Sequence, residues 1–125
     1  MYAAMKGRAG VMQELLDVGA DVNATDMDGM TALMLASQNG HVAMAKTLLD
    51  AGADVNAKNK NDTTVLMLAS IVGHARVVQV LIASNADVNA VVEDDDMSAL
   101  QFATTMGNLD VVKLLKQAGG VLPTL

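Results

Sequence analysis

The sequence predicts an all-α fold in which short helices stack in repeated pairs. Three observations support this prediction: blocks of sequence recur every 33 residues, apolar helical stripes follow them, and glycine or asparagine stands where the stripes stop. The 125 residues leave room for one compact unit or one short array. With 52% hydrophobic and 18% charged residues, the chain is too apolar for intrinsic disorder.

Two blocks carry the repeat most clearly. The sequence Gly-Ala-Asp-Val-Asn-Ala at residues 19–24 returns at 52–57 and, with asparagine for the first glycine, at 85–90. The sequence Thr-Ala-Leu-Met-Leu-Ala at 31–36 returns in related form at 64–69 and, after one inserted residue, at 98–103. Because both blocks keep the same period, we interpret them as parts of one structural repeat.

Each repeat is expected to contain two short helices. Thr31, Thr64 and Ser98 place a hydroxyl directly before an apolar stretch, where it can cap the free amides of a new helix. That first helix is expected to end near a glycine that can adopt a left-handed conformation, namely Gly40, Gly73 or Gly107. A second apolar stripe then ends at Gly52, Asn85 or Gly119.

Helices of about eight residues are too short to be stable alone, so they must stack. Small side chains at Ala36, Ala69 and Ala103 allow neighbouring pairs to approach closely. Thin layers of this kind suit Leu, Val and Met, which explains 2% aromatic residues beside 10 Met. We place four of the methionines in this core: Met12, Met34, Met44 and Met67.

Three segments together strongly resemble the ankyrin repeat. They are Asp-x-Asp-Gly-x-Thr-Ala-Leu-x-Leu-Ala at 26–36, the Gly-His pairs at 40–41 and 73–74, and the Gly-Ala-Asp-Val-Asn-Ala block. The resemblance covers nearly the whole chain and implies a curved solenoid of antiparallel helix pairs joined by hairpin-like finger loops. We therefore expect one ankyrin-repeat domain at 1–125, with a partial repeat at 1–24 and repeats at 25–57, 58–91 and 92–125.

The chain departs from the family pattern at the start of each first helix. Where the family has Thr-Pro-Leu-His, alanine or valine replaces the proline, and Met34, Met67 and Gln101 replace the histidine. Because a proline there is pre-organised and the family's histidine ties the turn, we expect looser fingers and more reliance on methionine packing. Asp62 and Asp96 replace Gly29 at a position that favours positive φ.

The inserted residue makes the last finger longer and acidic, with Glu-Asp-Asp-Asp at 93–96. The alternating acids, central glycine and distal glutamate of a calcium loop are absent. Three readings of this finger stay open: a solvated loop, a contact with a basic partner, and a metal site.

Bulk composition excludes several classes of partner. A formal charge of −6 disfavours nucleic acid and anionic lipid, and the chain has no Cys for disulfides or thiolate sites. Apolar runs of about five residues are far shorter than a membrane span. We expect a cytoplasmic protein that binds neither nucleic acid nor membrane. A monomer is expected, with end-to-end pairing as the alternative because neither end carries a convincing polar cap.

We expect no catalysis and no cofactor, and we assign no residue as a metal ligand. Stacking sets His41 and His74 about 10 Å apart, too far to share a metal. The resemblance implies instead that each imidazole bonds backbone where the second helix begins. It also implies that Asn23, Asn56 and Asn89 bond to neighbouring fingers, with asparagine hydroxylation as a minor alternative.

The resemblance implies a protein-binding module whose partner contacts finger tips and the ends of the first helices. In this chain the finger positions are Met27, Asp28, Met30, Lys60, Asn61, Thr63, Asp94, Asp95 and Met97. The helix-end positions are Met5, Lys6, Gln38, Asn39, Ile71, Val72, Thr105 and Met106.

Within this surface we place the apolar centre of the partner site at Met30, Ile71, Val72, Met97 and Met106, rimmed by Lys60 and the acids at 94–96. We expect Met30→Asp and Ile71→Asp to abolish partner capture with little change in thermal stability. Two alternatives stay open. The apolar residues could pack beneath the fingers, or the chain could be a structural spacer of a longer ankyrin-repeat protein whose partner site lies elsewhere.

Overall fold

The computed structural model describes residues 21–120, which form stacked helix pairs with finger loops between them. The first helices of the pairs are α1 (Ala32–Gln38), α3 (Val65–Val72) and α5 (Ala99–Met106). The second helices are α2 (Val42–Asp50), α4 (Ala75–Ala83) and α6 (Leu109–Gln117). Strands β1 (Val91–Val92) and β2 (Met97–Ser98) form an antiparallel hairpin in the last finger. The predicted helical solenoid is therefore confirmed. The expectations for Met5, Lys6, Met12 and the segment 1–20 lie outside the described residues.

Each first helix begins with the predicted hydroxyl cap, and the cap is reciprocal. Thr31 Oγ1 accepts from the Met34 amide at 3.2 Å, while the Thr31 amide donates to the Met34 sulfur at 3.4 Å. Thr64 and Met67 repeat this arrangement, and in α5 the sulfur is replaced by the side-chain amide oxygen of Gln101. The residues that stand in for the family's histidine thus still tie the turn.

Left-handed residues end the helices where the sequence predicted them. Gly73 (φ 89°) and Gly107 (φ 74°) directly cap α3 and α5. After α4 the same conformation is adopted by Asn85 (φ 69°), which takes the place of a glycine. In the fingers Asp62 (φ 63°) and Asp96 (φ 53°) also adopt it, at some cost in backbone strain.

The repeats stack through both helices of each pair. Helix α3 packs against α1 on one side and α5 on the other, while α4 lies between α2 and α6. Ala36, Ala69 and Ala103 are fully buried at the contacts between first helices, as predicted. The methionines expected in the core are also buried where they are described: Met34 and Met67 are 0% exposed and Met44 is 1% exposed.

Side-chain amides and an imidazole bond the repeats to one another. Asn23 Oδ1 accepts from the Asp54 amide at 2.7 Å, and Asn56 Oδ1 accepts from the Asp87 amide at the same distance. Each bond crosses to the loop after the second helix of the next repeat. The partner is therefore this loop, whereas the resemblance had implied a neighbouring finger.

The turns between the paired helices are bonded in a similar way. The His74 Nε2–H donates to the carbonyl of Gln38 at 3.1 Å, and Asn108 Nδ2 donates to the carbonyl of Ser70 at 2.8 Å. The resemblance implied that His74 bonds to backbone where its second helix begins. The structure shows instead a bond to the end of the first helix of the preceding repeat. A Cβ at Gly73 would lie 2.8 Å from the Asn108 amide, so this turn needs glycine both for space and for its positive φ.

Helices within residues 21–120 have at most nine residues, and none of them is long and apolar enough to cross a membrane.

Candidate functional site

The first two fingers are closed by side-chain caps on their own backbones. Asp26 Oδ1 accepts from the amides of Asp28 and Met30, both at 2.9 Å. Asn59 Oδ1 does the same for Asn61 at 2.9 Å and Thr63 at 3.1 Å. Short polar side chains therefore hold each tip in a defined turn.

Neighbouring fingers are also bonded to each other. The Lys60 amide donates to the Asp28 carbonyl at 3.0 Å, and Asn59 Nδ2 donates to the Met30 sulfur at 3.5 Å. A Cβ on Gly29 would lie 2.9 Å from the Lys60 nitrogen, which explains why glycine stands where the two fingers meet. The expected looseness of the fingers stays a prediction, but their tips are tied together.

Asp62 joins the second finger to the acidic third one. Its Oδ2 accepts from the Glu93 amide at 2.8 Å, and its Oδ1 lies 3.1 Å from Lys58 Nζ. Lys58 Nζ also donates to the Val91 carbonyl at 3.4 Å. The hydrogen bond from the Glu93 amide, and next the one from Lys58, lower the pKa of Asp62 below its ordinary value. The sequence singled out Asp62 for its backbone conformation but did not reveal this contact.

The predicted partner positions divide into exposed and half-buried groups. The exposed group contains Met27, Asp28, Gln38, Asn39, Lys60, Asn61, Val72, Asp94, Asp95, Thr105 and Met106. Half-buried are Met30, Thr63, Ile71 and Met97.

The half-buried group revises the expected apolar centre. Met30 packs against the core, and its sulfur accepts a hydrogen bond from the next finger. For Met30, this agrees with the alternative that the apolar residues pack beneath the fingers. Aspartate at Met30 would therefore also perturb folding. The exposed pair Val72 and Met106, 49% and 57% exposed, is more accessible to a partner than half-buried Ile71, so binding is better tested there.

One exposed apolar residue was missed by sequence reasoning. Leu109, at the start of α6, is 70% exposed and lies just after Met106 and the helix-ending Gly107. It borders an open cleft of about 280 Å³ that is lined by Gly73, Gly107, Asn108, Leu109, Asp110 and Val111. The equivalent positions in the other repeats hold Val42 and Ala75, which are partly buried against the core, so the repeat pattern did not single out Leu109 as exposed.

Charge is distributed unevenly between the two faces of the solenoid. The first helices α1, α3 and α5 contain no charged residue, whereas the fingers at 25–31, 58–64 and 91–98 carry seven carboxylates and two lysines. The second helices α2, α4 and α6 carry four basic and two acidic residues. On the face formed by the fingers and the first helices, the helices are therefore uncharged and the fingers form an acidic border.

Comparison with protein families agrees with this architecture. The family model described as ankyrin repeats (3 copies) matches residues 1–59 and 56–123. A search of curated proteins returns no match. Ankyrin repeats are generally protein–protein interaction modules, and the family is typically non-catalytic. The match over almost the whole length, together with the repeated caps and fingers, shows that the chain belongs to the ankyrin-repeat family.

Proposed function

We propose that this chain is a non-catalytic binding module that captures a protein partner on its finger and first-helix face. The observation that carries the proposal is the combination of an uncharged helix face with exposed Val72 and Met106 on adjacent repeats. Apolar residues at equivalent positions of stacked repeats lie about 10 Å apart, so one partner segment can contact both.

The hydrogen bonds between fingers support the same proposal. Since the caps at Asp26 and Asn59 and the bond from Lys60 to Asp28 hold the first two tips in defined turns, a partner meets hydrogen-bonded backbone at these fingers. Binding to a pre-organised surface costs less conformational entropy than binding to free loops. Methionine at the contact adds a side chain that adapts to different partner shapes.

The experiment compares partner capture by the chain and by the double variant Val72→Lys/Met106→Lys. Both residues end first helices, where a lysine interacts favourably with the helix dipole, so we expect the variant to fold. Affinity-tagged protein is incubated with extract of the source organism, and bound proteins are identified by mass spectrometry. Loss of the captured protein, with an unchanged circular dichroism melting curve, supports the proposal.

A matched control adds the same charge to the opposite face. Ala43→Lys/Ala83→Lys changes two exposed positions of α2 and α4 and should retain capture. Equal capture by both double variants contradicts the proposed surface. It would favour the alternative that the chain is a spacer within a longer ankyrin-repeat protein whose partner site lies elsewhere.

A further inference from the structure

Exposed apolar side chains concentrate at one end of the last two helix pairs. Within residues 21–120, four large hydrophobic residues are exposed, and three of these are Val72, Met106 and Leu109. We call these three, with half-buried Ile71, the helix-end patch. It adjoins the cleft between Gly73 and Gly107, which offers a recess of about 280 Å³ for a side chain. Val72, Met106 and Leu109 offer apolar contacts to a bulky side chain of a partner beside this cleft, whose lining also includes Asn108 and Asp110.

The opposite end of α5 carries negative charge. Glu93, Asp94, Asp95 and Asp96 are all exposed in the finger that leads through β2 into α5, and we call them the acidic finger. The only ion pair within residues 21–120 joins Lys58 to Asp62, so no carboxylate of the acidic finger is neutralised there. Although Lys58 and Lys60 lie in the neighbouring finger, the four carboxylates of the acidic finger outnumber them and α5 is uncharged, so this end of the face is net negative.

We propose that the partner binds through a bipartite segment, with a bulky apolar anchor on the helix-end patch and a Lys/Arg cluster against the acidic finger. This inference rests on the proposed function and adds the chemistry of the segment. The eight residues of α5 span about 12 Å and β2 lies between the helix and the acidic finger, so the two subsites are at least about 12 Å apart. The anchor and the basic cluster are therefore at least about four residues apart if the segment is extended, or at least about eight if it is helical.

The probe is a phage-displayed library of random peptides of about 16 residues, long enough to hold both parts in either conformation. The library is selected on the full chain at about 50 mM salt, where surface charges are weakly screened. We expect the recovered peptides to combine basic residues and a bulky apolar residue, separated by at least about four residues in an extended peptide or about eight in a helical one. We also expect their affinity to fall as salt is raised.

Single variants then assign each part of the peptide to its subsite. Met106→Gln should weaken the recovered peptides about tenfold, because the anchor loses its apolar contact. Asp95→Lys should weaken them about fivefold by reversing one charge of the acidic finger. The matched controls are Ala83→Gln and Asp50→Lys, exposed positions on second helices, and both should leave affinity unchanged.

Two contrary outcomes are distinguishable. Recovered peptides that lack basic residues but respond to Met106→Gln would overturn the bipartite inference and leave the proposed binding face intact. The inference is also overturned if no peptide is recovered. It is overturned as well if neither Met106→Gln nor Asp95→Lys changes the affinity of the recovered peptides. Unchanged protein capture by Val72→Lys/Met106→Lys would then also overturn the proposed function.

Discussion

Two serines at equivalent positions of successive repeats should respond in opposite directions to replacement by alanine. Ser37 and Ser70 are both 0% exposed on first helices. Ser70 Oγ donates to the Leu66 carbonyl at 2.7 Å, whereas Ser37 Oγ has no hydrogen-bond partner among residues 21–120. An unsatisfied buried hydroxyl costs about 1–3 kcal/mol, and alanine also has the higher helix propensity. We therefore expect Ser37→Ala to raise the free energy of unfolding by about 1–2 kcal/mol.

Ser70→Ala removes a satisfied hydroxyl and serves as the matched control. The lost hydrogen bond contributes about 0.5–1.5 kcal/mol, part of which alanine's helix propensity offsets, so we expect a loss of up to about 1 kcal/mol. Urea denaturation followed by circular dichroism at 222 nm measures both changes. The slope of the unfolding free energy against urea concentration should be the same for both variants and the parent. A destabilised Ser37→Ala protein would refute the reasoning, because it would mean that this hydroxyl makes a stabilising contact.

Three further predictions concern single polar residues. The lowered pKa of Asp62 means that its charge stabilises the fold above the ordinary carboxyl pKa of about 3.9, and that this stabilisation disappears as pH falls through the lower folded value. Asp62→Asn should therefore be less stable than the parent at pH 7 in urea melts, and the difference should shrink in acid; a constant difference contradicts this. Asn85→Gly should stabilise the fold by about 0.5 kcal/mol and Asn85→Ala destabilise it by about 1 kcal/mol, because φ is 69°; the reverse order in thermal melts would count against strain at this turn. Asn108→Ala should cost about 1–2 kcal/mol by removing the bonds to the carbonyls of Ser70 and Ile71; an unchanged melting temperature would show that these bonds do not stabilise the stack.

The sequence was most informative where structure depends on near neighbours. The caps at Thr31, Thr64 and Ser98 are local, because a hydroxyl meets an amide three residues later. The helix-ending role of Asn85 is local too, since it depends on one residue's tolerance of positive φ. The 33-residue period also predicted the order of stacking, because short helix pairs with the same apolar pattern bury it by packing against the neighbouring copy.

Features that depend on contacts between repeats were harder to predict. Met30 occupies an exposed position by family pattern, but the next finger contacts its sulfur through Asn59. Leu109 resembles a core residue by sequence, yet it is 70% exposed. Asn108 differs from the equivalent His74, and its bonds to the preceding repeat follow only from the stacked geometry. The partner positions themselves stay predictions.

Site-specific photo-crosslinking tests the location of the partner surface most directly. A photoreactive amino acid is placed at Met106 on the finger and first-helix face or at Ala43 on the opposite face, both exposed. The two proteins are irradiated in extract of the source organism, and crosslinked products are identified by mass spectrometry. The proposed function predicts a specific protein adduct from position 106 and none from position 43. An adduct from position 43 alone, or equal yields from both positions, would contradict it.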